Sequence, residues 1–424
     1  MIKFLLKGIL RDRSRSLFPI LTVMTGVMLT VFLYSYIQGA TGNFFDTSAK
    51  FQTGHVKVMS RAYAEEADQI PNDLALVGLG GLLRELGSRY PGMIWTPRIQ
   101  FGALLDIPDD SGETRAQGPI MGMALDLFSP GTPEWSLLNL EGAVVSGRLP
   151  EKPGEILVSH GFAERLGVSA GETATLIGST MYGSMAVANF KIAGTIHFGI
   201  TALDRGAMIA DLADIQEVLD MQDAAGEILG FYDDFVFRLE GSERMAAEYN
   251  ASKAEETDEF APVMKSLMEL SVLGDMMGLL KMFTAVVLIV FISAMSVVLW
   301  NAGILGSLRR YGEIGVRLAI GESKGHLYRS MISESLLIGI IGSAFGTILG
   351  LAFSYYLQVK GFNISQMMQN ASLMIADVIR AKVTPVSYVI GFFPGIIATF
   401  LGAAIAGLGI YRRKTAQLIK ELEV

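Results

Sequence analysis

The sequence predicts an α-helical membrane protein with four transmembrane helices and a large extracytoplasmic α+β domain inserted between helices 1 and 2. Three observations lead there. The chain is 51% hydrophobic and its mean hydropathy is +0.42, high for a soluble protein of 424 residues. Four apolar runs, 17–40, 278–303, 331–357 and 386–411, reach the roughly 20 residues that a helix needs to cross the hydrocarbon core. Charge is also segregated. Residues 41–272 carry 16 Lys+Arg against 34 Asp+Glu, and the rest of the chain carries 18 against 8.

The basic residues set the orientation. Lys3, Lys7, Arg11, Arg13 and Arg15 precede the first span, Arg309, Arg310, Arg317, Lys324 and Arg329 lie between the second and third, and Arg412, Arg413, Lys414 and Lys420 follow the fourth. With four spans all three segments share one side, which the positive-inside rule makes the cytoplasm. The acidic block then lies outside.

Each element follows in order. Residues 1–16 interleave Ile2, Phe4, Leu5, Leu6, Ile9 and Leu10 with cations, which suits an amphipathic helix on the inner leaflet; a plain basic flank that only fixes topology reads almost as well. The span 17–40 is longer than a signal-peptide core and no small-x-small cleavage site follows it, so it is expected to stay as an anchor. Short apolar runs bounded by turn residues fill 41–241, among them "GHVKVMS", "EILVS", "ANFKIAGTIHF" and "DDFVFRLE", and predict a domain with its own core, in two lobes. Residues 242–277 lack strand signals and are expected to form a stalk helix leading into the span 278–303. A cytoplasmic loop occupies 304–330, and the span 331–357, a short outer loop 358–385, the span 386–411 and a tail 412–424 complete the chain. Gly342, Gly346 and Gly350 recur every four residues in the third span and lay down a small-residue face for close helix packing. Pro394 is expected to kink the fourth.

Enzyme chemistry finds little foothold. The four histidines are scattered, no cysteine exists, and no Gly-x-Ser-x-Gly elbow, His-Glu-x-x-His motif or Gly-x-x-x-x-Gly-Lys-Ser/Thr phosphate loop occurs. The expectation is no catalysis and no cofactor or metal in this chain.

Most of the charge between the second and third spans lies in "RRYGEIGVRLAIGESKGH", 309–326. Glu313 and Arg317 have i, i+4 spacing in the stabilising order, Ile314, Leu318 and Ile320 give an apolar side, Gly321 suits a helix end, and Ser323 can cap the next helix. A short helix is predicted. From its residues alone it is equally a plain connector and a docking element.

The segment resembles the signature of FtsX/MacB-type permeases of ABC transporters, the type VII ABC superfamily. Asn301 precedes Glu313, Ile314 and Gly315 at the family's distance, Arg310 matches its arginine, and Arg317, Leu318, Ala319, Ile320 and Gly321 resemble the remainder with the arginine moved forward by one place. Arg309, Gly312 and Glu322 depart from the pattern. Glu334 with its glycine-rich span, the stretch 146–176 and the basic entry into the first span also resemble the family, whose layout here is most similar to the lipoprotein-releasing (Lol) group. The resemblance implies that the loop is a coupling helix docked on a separate cytoplasmic ABC ATPase dimer, with ATP and Mg bound by that partner. Ile314, Leu318 and Ile320 would be apolar anchors, and Arg310, Glu313 and Arg317 polar contacts. It further implies a second permease chain, the same or paralogous, a mechanical stroke delivered to a MacB-like periplasmic domain, a bacterial inner-membrane location with both termini cytoplasmic, and contact with membrane lipids and a periplasmic lipoprotein carrier or adaptor. Nucleic acid has no place in it. Within that scheme Phe44, Met276, Met277 and Phe283 are candidates for an acyl-chain cleft, although simple helix packing explains them equally. Peptide or amphiphile export through a tripartite pump and mechanical regulation of a periplasmic hydrolase are the alternatives.

Overall fold

The computed structural model describes residues 13–109, 111–235, 237–256, 258–308, 311–363 and 378–412. The chain divides into two compact units, one of Met1–Gly42, Leu279–Phe362 and Ile379–Val424, the other of Asn43–Gly278 and Asn363–Val378. Residues 1–12 of the expected amphipathic helix lie outside the described residues.

Helix α1 spans Arg13–Ser48, eight residues beyond the expected end of the first span, and a π turn, Ala49–Thr53, closes it. The turn ends on Gly54 at φ +59°, where a Cβ would come within 2.7 Å of the Val56 carbonyl oxygen. Only glycine meets both demands. The carbonyl oxygens of Lys50 and Phe51 accept hydrogen bonds from Nη1 of Arg98 at 2.7 and 3.2 Å. Arg98 also donates from Nε and Nη2 to the two Glu134 oxygens at 2.9 and 2.7 Å. Both side chains are completely buried, and Thr96 Oγ1 donates to the same carboxylate at 2.6 Å.

The second unit is built on a ten-stranded sheet. Its strands are β1 (Val56–Ser60), then β3 (Met93–Pro108), β4 (Thr114–Leu125), β5 (Val144–Gly147), β6 (Glu155–Ser159), β7 (Thr173–Ser179), β8 (Met185–Ile196), β9 (Ala207–Asp211), β11 (Glu227–Tyr232) and β12 (Pro262–Ser266), while β2 (Leu76–Val77) and β10 (Ala224–Ala225) pair separately. Strand β3 decides the shape. Its first six residues pair antiparallel with β11, Leu104–Asp106 pair with β7, and β4 runs along nearly all of it. Because β4 also pairs β9, β9 pairs β6, β6 pairs β8 and β8 pairs β7, these six strands close into a barrel and leave no free edge along the ring.

Alternation sorts the side chains. Ile99, Leu105, Ile120, Ile156, Val158, Leu176, Phe190, Ile192 and Met208 share one core. Met123, Leu125, Leu157 and Ile209 point the other way, into a second cluster with Phe51, Leu137, Leu140 and Leu203 from the π turn and short helices. Ile156, Leu157 and Val158 of "EILVS" are consecutive apolar residues because both faces of the strand are covered.

Helices α2 (Leu79–Arg89), α3 (His160–Leu166), α4 (Leu212–Val218) and α5 (Leu239–Ser252) flank the sheet. Gly167 at φ +63° ends α3, and Asp211 caps α4 by accepting from the Ala213 amide at 3.1 Å. The expected stalk helix over 242–277 does not form as one helix. After α5 the acidic stretch following Lys253 offers no apolar helix face, and the chain returns as β12, antiparallel to β1 from Val56↔Ser266 to Ser60↔Pro262. Asn250 holds the return, accepting from the Met264 amide and donating to its carbonyl, both at 2.8 Å.

Helix α6 (Ser271–Leu308), α7 (Tyr311–Ala319), α8 (Lys324–Lys360) and α9 (Phe392–Arg412) complete the chain. Four helices are long and apolar enough to cross a membrane, so the protein is a multi-pass membrane protein. In the first unit Val23, Val27 and Val31 of α1 are fully buried against the glycine face of α8. A Cβ on Gly342, Gly346 or Gly350 would lie within 2.7–2.9 Å of those three valines, and within 2.5 Å of the Met24 carbonyl at Gly346. Gly339 faces Thr399 and Gly395 of α9. The expected kink at Pro394 does not arise. Helix α9 starts at Phe392, which leaves Pro394 in the first turn, where its missing N–H has no intrahelical partner to lose.

Candidate coupling site

The loop between α6 and α8 is held by α7. Its end is a Schellman motif: Gly321 at φ +100° donates its amide to the Leu318 carbonyl at 3.1 Å, and the Glu322 amide reaches the Arg317 carbonyl at 3.1 Å. Glycine is required there because a Cβ disfavours the left-handed region. Ser323 occupies the N-cap of α8, but its side chain makes no cap bond; its carbonyl accepts from the His326 and Leu327 amides instead.

The apolar residues divide differently from the expectation. Ile314 is buried against Leu327 and Met331 of α8, with Leu318 partly covered beside them, so these two fasten α7 to its own chain. The helix period turns Val316 outward, 44% exposed, and Ile320 beyond it is 81% exposed. Of the three expected anchors only Ile320 is freely presented, and Val316, missed from sequence, joins it. Counting i, i+4 positions around Ile314 would have placed Val316 on the opposite side.

Arg317 also finds a different partner. Its Nε and Nη2 grip both oxygens of Glu322 at 2.7 and 2.8 Å, a forked pair that fixes the guanidinium in place. Nε2 of His326 approaches the same carboxylate at 3.7 Å. The Glu322 departure from the family pattern therefore has a structural use. Arg310 and the side chain of Glu313 lie outside the described residues; Gly315 is buried and Ala319 exposed.

The remaining sequence-selected residues are dispersed. Asn301 is exposed, and Glu334 is half-buried and makes a polar interaction. Phe44 packs edge-on against Phe45 with ring centroids 5.7 Å apart. Phe283 is exposed on α6, and the Met276 and Met277 side chains lie outside the described residues. Among the described residues no group of three or more His, Cys, Asp or Glu is placed to hold a metal.

Comparison with known proteins relates this chain to membrane permeases. Residues 285–415 match the family model described as FtsX-like permease C-terminal. The chain is 25% identical over 271 residues to the lipoprotein-releasing system transmembrane protein LolC of Xylella fastidiosa strain 9a5c, covering 60% of each. It is 29% identical over 125 residues to the macrolide export ATP-binding/permease protein MacB of Rhodopseudomonas palustris, covering 28% of this chain and 18% of that protein. The chain thus aligns with about three fifths of the LolC relative's length. Among solved structures, the periplasmic region of MacB from Actinobacillus actinomycetemcomitans matches with a TM-score of 0.32 and 8% identity over 53% of this chain and 93% of that one. The chain is thus similar to ABC permeases of the FtsX/MacB type, most extensively to the Lol proteins.

Proposed function

We propose that this chain is the membrane subunit of an ABC transporter in the bacterial inner membrane, both termini cytoplasmic, that works with a separate cytoplasmic ATPase and moves its outer domain when ATP is hydrolysed. The observation that carries the reading is α7, a short helix fastened by Ile314 to α8 within the segment that matches FtsX-like permeases. It leaves Val316 and Ile320 facing outward beside the Arg317–Glu322 pair. A rigid helix with exposed apolar residues and a fixed cation is suited to a groove on a partner, where binding energy released by nucleotide shifts a two-state membrane element.

The substrate we propose is a lipoprotein or other lipophilic molecule drawn from the membrane, on the ground of the similarity to LolC proteins. A second reading, export of a peptide or amphiphile, draws support from the shorter stretch shared with MacB. One experiment separates them. Proteoliposomes holding the chain and its co-purified ATPase are given a labelled triacylated lipoprotein, with a periplasmic carrier outside. Release that needs ATP and is lost on charge reversal at Glu313 or Arg317 supports extraction. ATP turnover without release overturns extraction and favours export.

A further inference from the structure

The fully buried Arg98–Glu134 pair lies where three parts of the outer unit meet. Arg98 is the last residue of β3 to pair with β11, facing Glu227, and on its other side it faces Leu125 of β4, so it marks the junction between the open part of the sheet and the barrel. Glu134 opens a short helix, Glu134–Leu137, that packs on the barrel's outer cluster. The third part is the end of α1, whose Lys50 and Phe51 carbonyls receive Nη1 of Arg98.

Carbonyls at a helix end have no partner within the helix, and such ends fray. Here they are held by a cation at the negative end of the helix, an arrangement that both charge and geometry favour. An ion pair buried to this degree stabilises no better than apolar side chains of the same volume. What it supplies is position: a planar fork with one edge on Glu134 and the opposite nitrogen on the turn can satisfy both only in one arrangement.

We propose that Arg98 is a positioning residue for the transport stroke, the joint through which displacement of α1 is passed to the barrel. This rests on the function proposed above. Glu134 holds the guanidinium, the guanidinium holds the π turn, and Phe51, inserted in the outer cluster beside Leu125, Leu229 and Phe231, keeps the turn from rotating. Without the fork the last turn of α1 would move while the barrel stayed behind.

The test uses the full chain with its co-purified ATPase. The chain has no cysteine, so spin-labelled cysteines can be placed in pairs, Asp46 with Gln117 and Gln117 with Lys360, all exposed residues, with labelled chain diluted into unlabelled. Pulsed electron paramagnetic resonance reads the Asp46–Gln117 and Gln117–Lys360 distances with and without ATP. The double variant Arg98→Met/Glu134→Leu replaces the pair by apolar side chains and leaves neither partner buried without the other. The expected result is continued ATP turnover, a broadened Asp46–Gln117 distribution, and loss of the ATP-dependent shift between Gln117 and Lys360 that the unmodified chain shows. A double variant that keeps the shift and a narrow Asp46–Gln117 distribution overturns the joint and leaves the transporter reading standing. An unmodified chain that turns over ATP with no shift overturns the stroke itself, and the joint with it. Should the double variant fail to fold, Arg98→Lys serves with the same two outcomes, because a single ammonium cannot bridge Glu134 and both carbonyls.

Discussion

At the residue scale, a buried histidine gives the second unit a pH dependence. His55 is buried among the rings of Phe231, Tyr232 and Phe237, and its Nδ1 accepts from the Tyr232 amide at 3.0 Å. Burial lowers its pKa to about 4, with Asp234 opposing and Arg238 assisting. A ring that stays neutral when folded but takes up a proton near pH 6.5 when unfolded costs nothing above that pH. Below it stability is lost, progressively down to about pH 4. His55→Asn, whose Oδ1 can replace the acceptor, is expected to flatten the slope of unfolding free energy between pH 6.5 and 4, read by denaturant titration. Glu155 acts lower on the scale: the forked bonds from Arg148 and the Glu151 amide hold its carboxyl at about 2. Its contribution, present above the usual carboxylate range, is lost as pH falls toward 2. Among buried charges, Arg98→Ala alone leaves Glu134 uncompensated and is expected to destabilise the second unit by about 3–5 kcal/mol, measurable as a lower denaturation midpoint of the full chain in detergent.

At the element scale, α7 and α8 each have one face that tolerates change and one that does not. Ile314→Ala removes a buried side chain and is expected to cost about 2–5 kcal/mol locally, seen as faster proteolysis around α7. Val316→Asp and Ile320→Asp alter exposed positions; the expected outcome is a normally inserted protein whose ATPase no longer co-purifies. If both variants retain the ATPase fully, the exposed face of α7 is not the docking surface. In α8 the demand is steric. Gly346→Leu pushes its Cβ against the Met24 carbonyl and Val27, and backbone cannot yield as a side-chain tip does. Overpacking of this kind costs about 1–3 kcal/mol and should lower the yield of monodisperse protein, whereas Leu349→Ala, at an exposed position on the same helix, should not.

At the scale of the whole molecule the charge asymmetry makes a topological prediction. Single cysteines at Tyr182, exposed on the β7–β8 turn, and Ile320, exposed after α7, are expected to react with a membrane-impermeant maleimide from opposite sides. With the outer membrane permeabilised, Tyr182→Cys should label in intact cells and Ile320→Cys only after lysis; the reverse pattern would invert the orientation.

Legibility followed the range of the interaction concerned. The four spans and the glycine face of α8 could be read from sequence because hydropathy over twenty residues and a four-residue repeat are local properties of one helix. The helix at 311–319 and its glycine stop were likewise local. What the sequence hid depended on partners far along the chain. Residues 262–266 became a strand through pairing with β1, although nothing in "PVMKS" alternates. Ile314 turned inward because Leu327 and Met331 were there to receive it, and Arg317 chose Glu322 across a turn whose geometry no helical spacing describes. Arg98 and Glu134 carried no signal at all, since two charged residues 36 positions apart become a buried pair only when β3 and a short helix meet over the end of α1. The sequence by itself determined a four-span membrane protein with an acidic inserted domain, because burial in lipid and charge near it act on each segment separately. Only the tertiary structure decided that six strands close into a barrel and which face of α7 is free, because register and contact are properties of pairs.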